Sequence, residues 1–382
     1  NLRYGSPTAS FDDVVRAGNC SLWDAQGRRY VDLESGVWCT ALGHAHPRLL
    51  RVLAEQAGRI AHTGFAYASP VVEEAAEEVL ALLGFEGGRC VFLCSGSEAV
   101  EYGVRVAQAA SAPRTRFLTM ADSYFGAYGS AHGRSRETWH DFDWSGCAAC
   151  AGCPPACPPD CPRWAAVPWD RIGGFLFEPG SSSGFVRFPP AGLIRSIAQA
   201  VRDAGGLVLV NEVTTGTGRT GEWFGFQHYG LRPDVVALGK GIGNGYPVAV
   251  AAFAPGVIDR LGGEPPRYAQ SHQNDPLGAA IVREVIRTIR EERLIERGRE
   301  IGAAFVAGLE RVRERTGRIR AIRGRGMMIA IDLEPGPQDR PAAAAEAARV
   351  HRELFRRGFL VERRPDSATL RIDPALTVER ED

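Results

Sequence analysis

Between residues 90 and 255 the chain repeats one pattern: a short, continuous apolar run, then a segment of helical periodicity. The runs are 90–94, 117–120, 174–177, 207–210, 235–238 and 248–253. A strand with one wet face alternates apolar and polar residues, whereas a strand that is apolar throughout is buried on both faces. Such strands, separated by helices, give a parallel sheet with helices on either side. Ligands of these sheets sit beyond the carboxyl ends of the strands. Here those ends are polar or glycine-rich: Ser95-Gly96-Ser97-Glu98, Ser123-Tyr124-Phe125-Gly126, Glu178-Pro179, Asn211-Glu212 and Gly239-Lys240-Gly241. They are expected to converge on one site.

The flanks read differently. Residues 21–23 and 29–33 bracket the turn Asp24-Ala25-Gln26-Gly27, a hairpin signal. Residues 46–62 and 71–83 have helical spacing, and 277–315 reads as a long helix or a helix pair. Strands at 326–333 and 360–362 enclose a helix at 342–356, and a further strand ends at 371–374, which together make a smaller α+β unit. The expected division is 1–50, an amino-terminal segment joining the small domain; 51–256, a large domain with a Cys-rich insertion at 144–164; and 257–382, the small carboxyl-terminal domain. Two or three units suit 382 residues.

Acids and bases balance, 45 against 45, so nothing in the charge suggests nucleic acid or a membrane surface. No apolar run is long enough to span a bilayer, and no charged-then-apolar leader is visible. The expectation is a cytoplasmic enzyme. One compositional fact is sharper. Of the 45 basic residues, Lys240 alone is lysine. A coding bias toward arginine explains the excess but not the survivor. Arginine replaces lysine wherever a charge suffices, but guanidinium does not release its proton, so it cannot become an attacking amine. Lys240 is therefore a candidate Schiff-base nucleophile.

The other motifs each have a bland reading. Ser95-Gly96-Ser97 opens a helix after an apolar strand, where backbone N–H groups favour a phosphate, though Ser95 with Glu98 also reads as a capping box. Tyr124 at a strand end can stack on a planar ring or simply pack. Asn211 and Glu212 are adjacent on a strand and so face opposite ways, and only one of them can meet a ligand. Lys240 sits among Gly239, Gly241, Gly243 and Gly245 at the end of an apolar run.

Taken in order, these pieces resemble the class III aminotransferases of fold type I. Trp23-Asp24-Ala25-Gln26-Gly27, Leu42-Gly43-His44-Ala45-His46-Pro47, Ser95-Gly96-Ser97-Glu98-Ala99, Tyr124-Phe125-Gly126, Gly216-Thr217-Gly218-Arg219-Thr220-Gly221, Gly239-Lys240-Gly241, Ser271-His272-Gln273-Asn274-Asp275-Pro276-Leu277 and Arg371-Ile372-Asp373-Pro374 carry the likeness over nearly the whole chain. The resemblance implies an α/β fold with a mostly parallel, seven-stranded central sheet, helices on both faces and a smaller α+β domain. It implies pyridoxal 5'-phosphate bound as a Schiff base on Lys240, which also shuttles the proton. Ser95, Gly96 and Ser97 would hold the phosphate, with Ser271 reaching in from a partner chain. Tyr124, Phe125, Asn211, Val213 and Thr214 would contact the cofactor. Arg371 and Trp38 would meet the substrate, with Arg371 taking its carboxylate. It further implies a homodimer with active sites at the interface, and amino-group transfer between an amine or amino acid and an oxo acid.

Three departures bear on activity. Asn211 stands where the family has the acid that pairs with the pyridine nitrogen. An amide supplies no charge, so a weaker electron sink is expected. Thr214 replaces a usual Gln. Ser183 falls near a gating Glu of ornithine- and aminobutyrate-type members and argues against those substrates. The alternative outcome is a racemase, epimerase or aminomutase of the same fold. A different class, a redox-sensing protein with a vestigial pocket, would rest on the cysteines. Cys147-x2-Cys150-x2-Cys153-x3-Cys157 has the bacterial ferredoxin spacing, so a structural zinc or iron–sulfur clip stands against metal-free thiols there.

Overall fold

The computed structural model describes residues 13–64, 67–147, 160–180, 182–335 and 339–382. The chain begins with three antiparallel strands, β1 (Val14–Gly18), β2 (Ser21–Asp24) and β3 (Arg29–Asp32). The turn between β2 and β3 is the expected hairpin. The Asp24 carboxylate accepts the backbone N–H groups of Gln26 and Arg28 at 3.1 and 2.8 Å. This is the local side chain-to-backbone bond that makes Asp a turn former.

The central sheet contains β4 (Arg89–Leu93), β5 (Arg116–Met120), β6 (Trp139–Phe142), β7 (Ile172–Phe177), β8 (Leu207–Asn211), β9 (Val235–Leu238) and β10 (Ala249–Phe253). Its order is β4-β10-β9-β8-β7-β5-β6. All neighbours are parallel except β10, which runs against both β4 and β9. The seventh strand, β6, is not one of the six apolar runs in the sequence. Its residues Trp-His-Asp-Phe bury only the two ends, because an edge strand has one neighbour and partial cover.

Period-two alternation divides the core. Phe92, Leu118, Phe175, Val208 and Val236 pack on one face with Val72, Val79, Ile194 and Ile197. Those four residues come from helices Pro70–Leu83 and Ala191–Asp203. Residues adjacent to these along the strands (Leu93, Phe117, Leu176, Leu209 and Ala237) pack on the other face with Val100 and Val104 of helix Gly96–Ala110. Fully burying each such Leu, Val or Phe contributes roughly 1.5–3 kcal/mol, so this two-sided layer fixes where the strand ends lie.

The expected long segment is a helix pair, Pro276–Glu291 and Leu294–Thr316, broken at Arg293. Beyond it come β11 (Ile319–Arg325), β12 (Met328–Leu333), helix Arg340–Arg356, β13 (Phe359–Leu360), β14 (Glu362–Arg363) and β15 (Thr369–Ile372). The expected strand at 360–362 is two short ones. β13 pairs in parallel with β3, and β14 pairs with β15, so residue 361 is where the chain passes between sheets. The β3–β13 pairing fastens the amino-terminal hairpin to the carboxyl-terminal unit. No helix of the described residues is long and apolar enough to cross a membrane. Cys147 is buried among Trp144 and Val167, whereas Cys150, Cys153 and Cys157 lie outside the described residues.

Arg219 joins the parts. It leaves the loop after β8 and is 3 % exposed. Its guanidinium donates to the carbonyls of Met327, Asp373 and Pro374 and to Ser35 Oγ. Removing one partner of a buried ionic network leaves the rest unpaired, at a cost of about 3–5 kcal/mol. Arg219→Met is expected to lower the stability to denaturant by that order. A urea midpoint close to that of the unsubstituted protein would contradict this role.

Candidate functional site

The carboxyl ends of β4, β5, β7, β8 and β9 open on a cavity of about 570 Å³. Lys240 follows β9 by two residues and takes a left-handed φ of 48°, which costs a side chain-bearing residue roughly 1–2 kcal/mol. The turn is held in place from outside. Asn244 ends it, accepting the Leu42 N–H at 2.7 Å and donating to the Gly43 carbonyl at 3.0 Å. The constraint aims the side chain beneath Trp38, with Nζ 4.7 Å from the ring centroid. Loss of hydration lowers the amine's pKa. Cys39 and Glu178 pull it partly back, while Arg371 pushes it further down. A lysine so placed spends more of its time as a neutral nucleophile or base.

Trp38 ends a run of four left-handed residues, Ser35, Gly36, Val37 and Trp38, with φ from 45 to 67°. Asp32 Oδ1 accepts the N–H groups of Glu34 and Ser35, both at 2.9 Å, and Ser35 Oγ donates to the Asp373 carbonyl at 2.6 Å. Strain of this kind persists only where the surroundings over-determine it. The product is an indole in contact with both Lys240 Nζ and Arg371, whose Cζ lies 3.6 Å from its centroid.

At the opposite wall, Ser95 caps helix Gly96–Ala110 by accepting the Glu98 N–H at 3.3 Å, and Glu98 returns to the Cys94 N–H at 2.9 Å. Ser95 is thus the helix cap that the sequence also allowed. A Cβ on Gly96 would stand 2.7 Å from Val213 Cγ1, so glycine is what lets this turn lie against Val213. Ser97 Oγ accepts the Ala127 N–H at 2.9 Å and orients the loop carrying Tyr124. Asn211 is buried, donating from Nδ2 to the Tyr124 carbonyl at 3.0 Å and accepting the Val213 N–H at 3.1 Å. Glu212 faces away, as strand alternation requires. It accepts Thr215 Oγ1 and the N–H groups of Gly225 and Phe226 at 2.7 to 2.9 Å. Burial nevertheless pushes its carboxyl up to about 7. Thr214 Oγ1 is buried with no hydrogen-bond partner among the described residues.

Of the residues expected from sequence, Lys240, Trp38, Gly96, Ser97, Tyr124, Phe125, Asn211, Val213, Thr214 and Arg371 line this one cavity. Phe125 does so from the core, since its ring is buried beside Val104 and Trp139. Ser95 and Ser271 do not line it, and Ser271 is exposed. Glu178, expected at the end of a buried strand, does line it. Five further lining residues escaped sequence reading: Val37, Val100, Gly184, Glu362 and Arg364. Arg364 could not have been singled out, being one arginine among many. The donor set fits an aromatic phosphate ester: open helix N–H groups, an orphan hydroxyl at Thr214, a buried amide at Asn211 and a lone amine.

Residues 6–382 match the family described as aminotransferase class-III. An ornithine aminotransferase of Bordetella pertussis is 30% identical, over 97% of this chain and 88% of its own length. A leucine/methionine racemase of Thermococcus litoralis is 28% identical, over 96% of this chain and 87% of its own length. Among solved structures, an amine transaminase from an uncultivated Pseudomonas species, in its PLP-bound form, superposes with a TM-score of 0.85 at 25% identity. It covers all of this chain and 94% of that one.

Glu34 stands behind the Trp38 turn and has a carboxyl pushed up to about 8, first by burial and then by Glu362 and Asp32. A carboxyl whose folded pKa is raised stabilises the fold fully below its unfolded value, near 4.5, and loses that contribution as pH rises through the folded value. Stability is thus expected to fall between pH 4.5 and about 8 through this group. Glu34→Gln should flatten that part of the stability profile, and identical slopes for both proteins would refute the assignment.

Proposed function

The chain belongs to the class III aminotransferase family, whose members are pyridoxal-phosphate-dependent enzymes, and from that premise we propose that it moves an amino group between an amino acid or amine and an oxo acid. The observation that carries the reading is Lys240: the single lysine of the chain, strained into place at the mouth of β9 and facing Trp38, Asn211 and Arg371 across one cavity. Bound there, pyridoxal phosphate would supply an electron-poor ring that stabilises negative charge on the carbon bearing the amine.

The chain's own residues supply the rest. The N–H groups of Gly96 and Ser97 at the helix start are placed for the phosphate. Val213 and Tyr124 would contact the ring, and Thr214 Oγ1 would donate to a ring oxygen. Arg371 offers a planar fork to a substrate carboxylate. Trp38 keeps water from the amine of Lys240, which takes a proton from the substrate carbon and delivers it to a neighbouring one. In this reading the protein is a homodimer, and Ser271, exposed on its own chain, reaches the phosphate of its partner. The Ser-Ser-Gly stretch around Ser183 carries no acid to receive a distal ammonium, which argues against ornithine-like donors.

A second reading has a specific basis. Asn211 can donate to the ring nitrogen but cannot hold a proton on it by charge, so electrons are withdrawn less strongly. Lys240 would then return the proton to the carbon it came from, as in a racemase or epimerase. The leucine/methionine racemase relative makes that outcome concrete. Incubating the holoenzyme with a panel of amino acids in heavy water, with and without an oxo acid, separates the two. A new amino acid formed from the oxo acid supports transfer. Solvent deuterium with loss of optical purity, and no transfer, supports racemisation. Two variants sharpen the assignment. Asn211→Asp is expected to raise the transfer rate by about tenfold, as a charged partner strengthens the ring. Lys240→Ala is expected to lose a factor of about 10²–10⁴ in either reaction, the usual worth of a positioned general base. Turnover by Lys240→Ala at the unsubstituted rate would sink both readings.

A further inference from the structure

We propose that Arg364 and Arg371 are the two arms of one clamp for an acidic group of the substrate, and that Arg364 is the arm that selects acids over plain amines. This deepens the amino-transfer reading and rests on it.

Both guanidiniums line the cavity that contains Lys240. Arg371 is 2 % exposed, donates from Nε to Asp373 Oδ2, lies over Trp38 and leaves Nη2 buried with no hydrogen-bond partner among the described residues. Arg364 arrives from the turn after β14, and its backbone N–H donates to the Thr369 carbonyl at 3.0 Å, so it is tied to the strand that carries Arg371. Its Nε is likewise buried without a hydrogen-bond partner, and its guanidinium lies 5.4 Å from the centroid of Phe185. Among the described residues Arg364 makes no ion pair. Glu362, on the same wall, approaches neither arginine closely enough to form one.

The two side chains meet at Gly184. A Cβ there would lie 2.8 Å from Arg371 Nη1 and 3.1 Å from Arg364 Nη1. The residue also has a φ of 87°, a conformation that favours glycine. The space that lets the forks converge exists because position 184 has no side chain. Two like charges this close, both poor in water, repel, and Arg371 weakens the hold of Arg364 on its proton. Arg364 is pushed down first by burial and then by Arg371, with Glu362 opposing. An oxyanion between the forks removes the repulsion and supplies acceptors for the idle N–H groups. A carboxylate, with one oxygen for each arm, fits this chemistry. A plain amine would leave both cations facing each other with nothing between them, which a site of this kind penalises.

The experiment uses the holoenzyme and three probes: L-alanine, ethylamine and propanoate. Propanoate lacks the amine and reads only the clamp, by calorimetry or by its effect on the bound cofactor's absorption. With Arg364→Gln, propanoate affinity is expected to fall about tenfold or more, the usual worth of a charge-assisted hydrogen bond. KM for the amino acid should rise similarly, with kcat changed less. Ethylamine turnover should hold or improve, and Arg364→Lys should recover part of the loss. Gly184→Ala, which puts a methyl group between the forks, should mimic Arg364→Gln and guards against a folding artefact. Equal losses for acid and amine, or propanoate binding that Arg364→Gln and Gly184→Ala leave unchanged, would overturn the clamp. If no donor yields amine transfer but propanoate binding still depends on Arg364, the clamp stands and the amino-transfer reading fails.

Discussion

The carboxylate of Asp373 is the interaction on which the rest of the site hangs. It is fully buried, and burial alone drives a carboxyl toward its neutral form. Arg371 and Arg219 compensate it from two directions. The backbone of residues 373–374 meets Arg219 from the central sheet's loop and Ser35 from the amino-terminal segment. The carboxylate and the backbone beside it together join three stretches of chain that are far apart in sequence. The carboxylate also sets the direction of Arg371, because a guanidinium anchored through Nε presents its far N–H groups to the cavity. Neither partner can be lost cheaply, since each would leave the other's charge buried and unmatched.

A second constraint follows from the sheet. Parallel strands deliver their carboxyl ends to one edge, and side-chain alternation decides which residues face the ligand. Asn211 and Glu212 show how strict this is. Adjacent residues of similar polarity have unrelated tasks: Asn211 lines the cavity, while Glu212 organises the turn at Gly225 and Phe226. The strained backbone sits at the same edge. Lys240 and the run from Ser35 to Trp38 occupy left-handed conformations braced by Asn244 and Asp32. The fold thereby holds a lysine and an indole in contact, and the amine acquires its lowered pKa from that enclosure.

Much of this was legible in the chain. Six unbroken apolar runs announced a sheet buried on both faces, and the polar residues after them announced its ligand edge. Lys240 stood out because arginine cannot do what a neutral amine does. The edge strand Trp139–Phe142 was hidden because partial cover gives partial alternation. The passage of residues 359–363 from one sheet to another was hidden because two-residue strands carry no periodicity. Arg364 and Gly184 were invisible for a different reason. Their meaning is a meeting of an arginine with a glycine 180 positions earlier in the chain, in a sequence where arginine is common. Ser95 could be read as a phosphate ligand or a cap, and the cap itself is visible only in the geometry at Glu98.

The central claim is that the cofactor is carried on Lys240. Borohydride reduction of the holoenzyme, followed by protease digestion and mass spectrometry, tests it directly. The account predicts a stoichiometric pyridoxyl adduct confined to the peptide that contains Lys240. Because no other lysine exists in the chain, an adduct elsewhere could form only on the terminal amine. Such a product, or a reduced protein with no adduct at all while activity persists, would contradict the account.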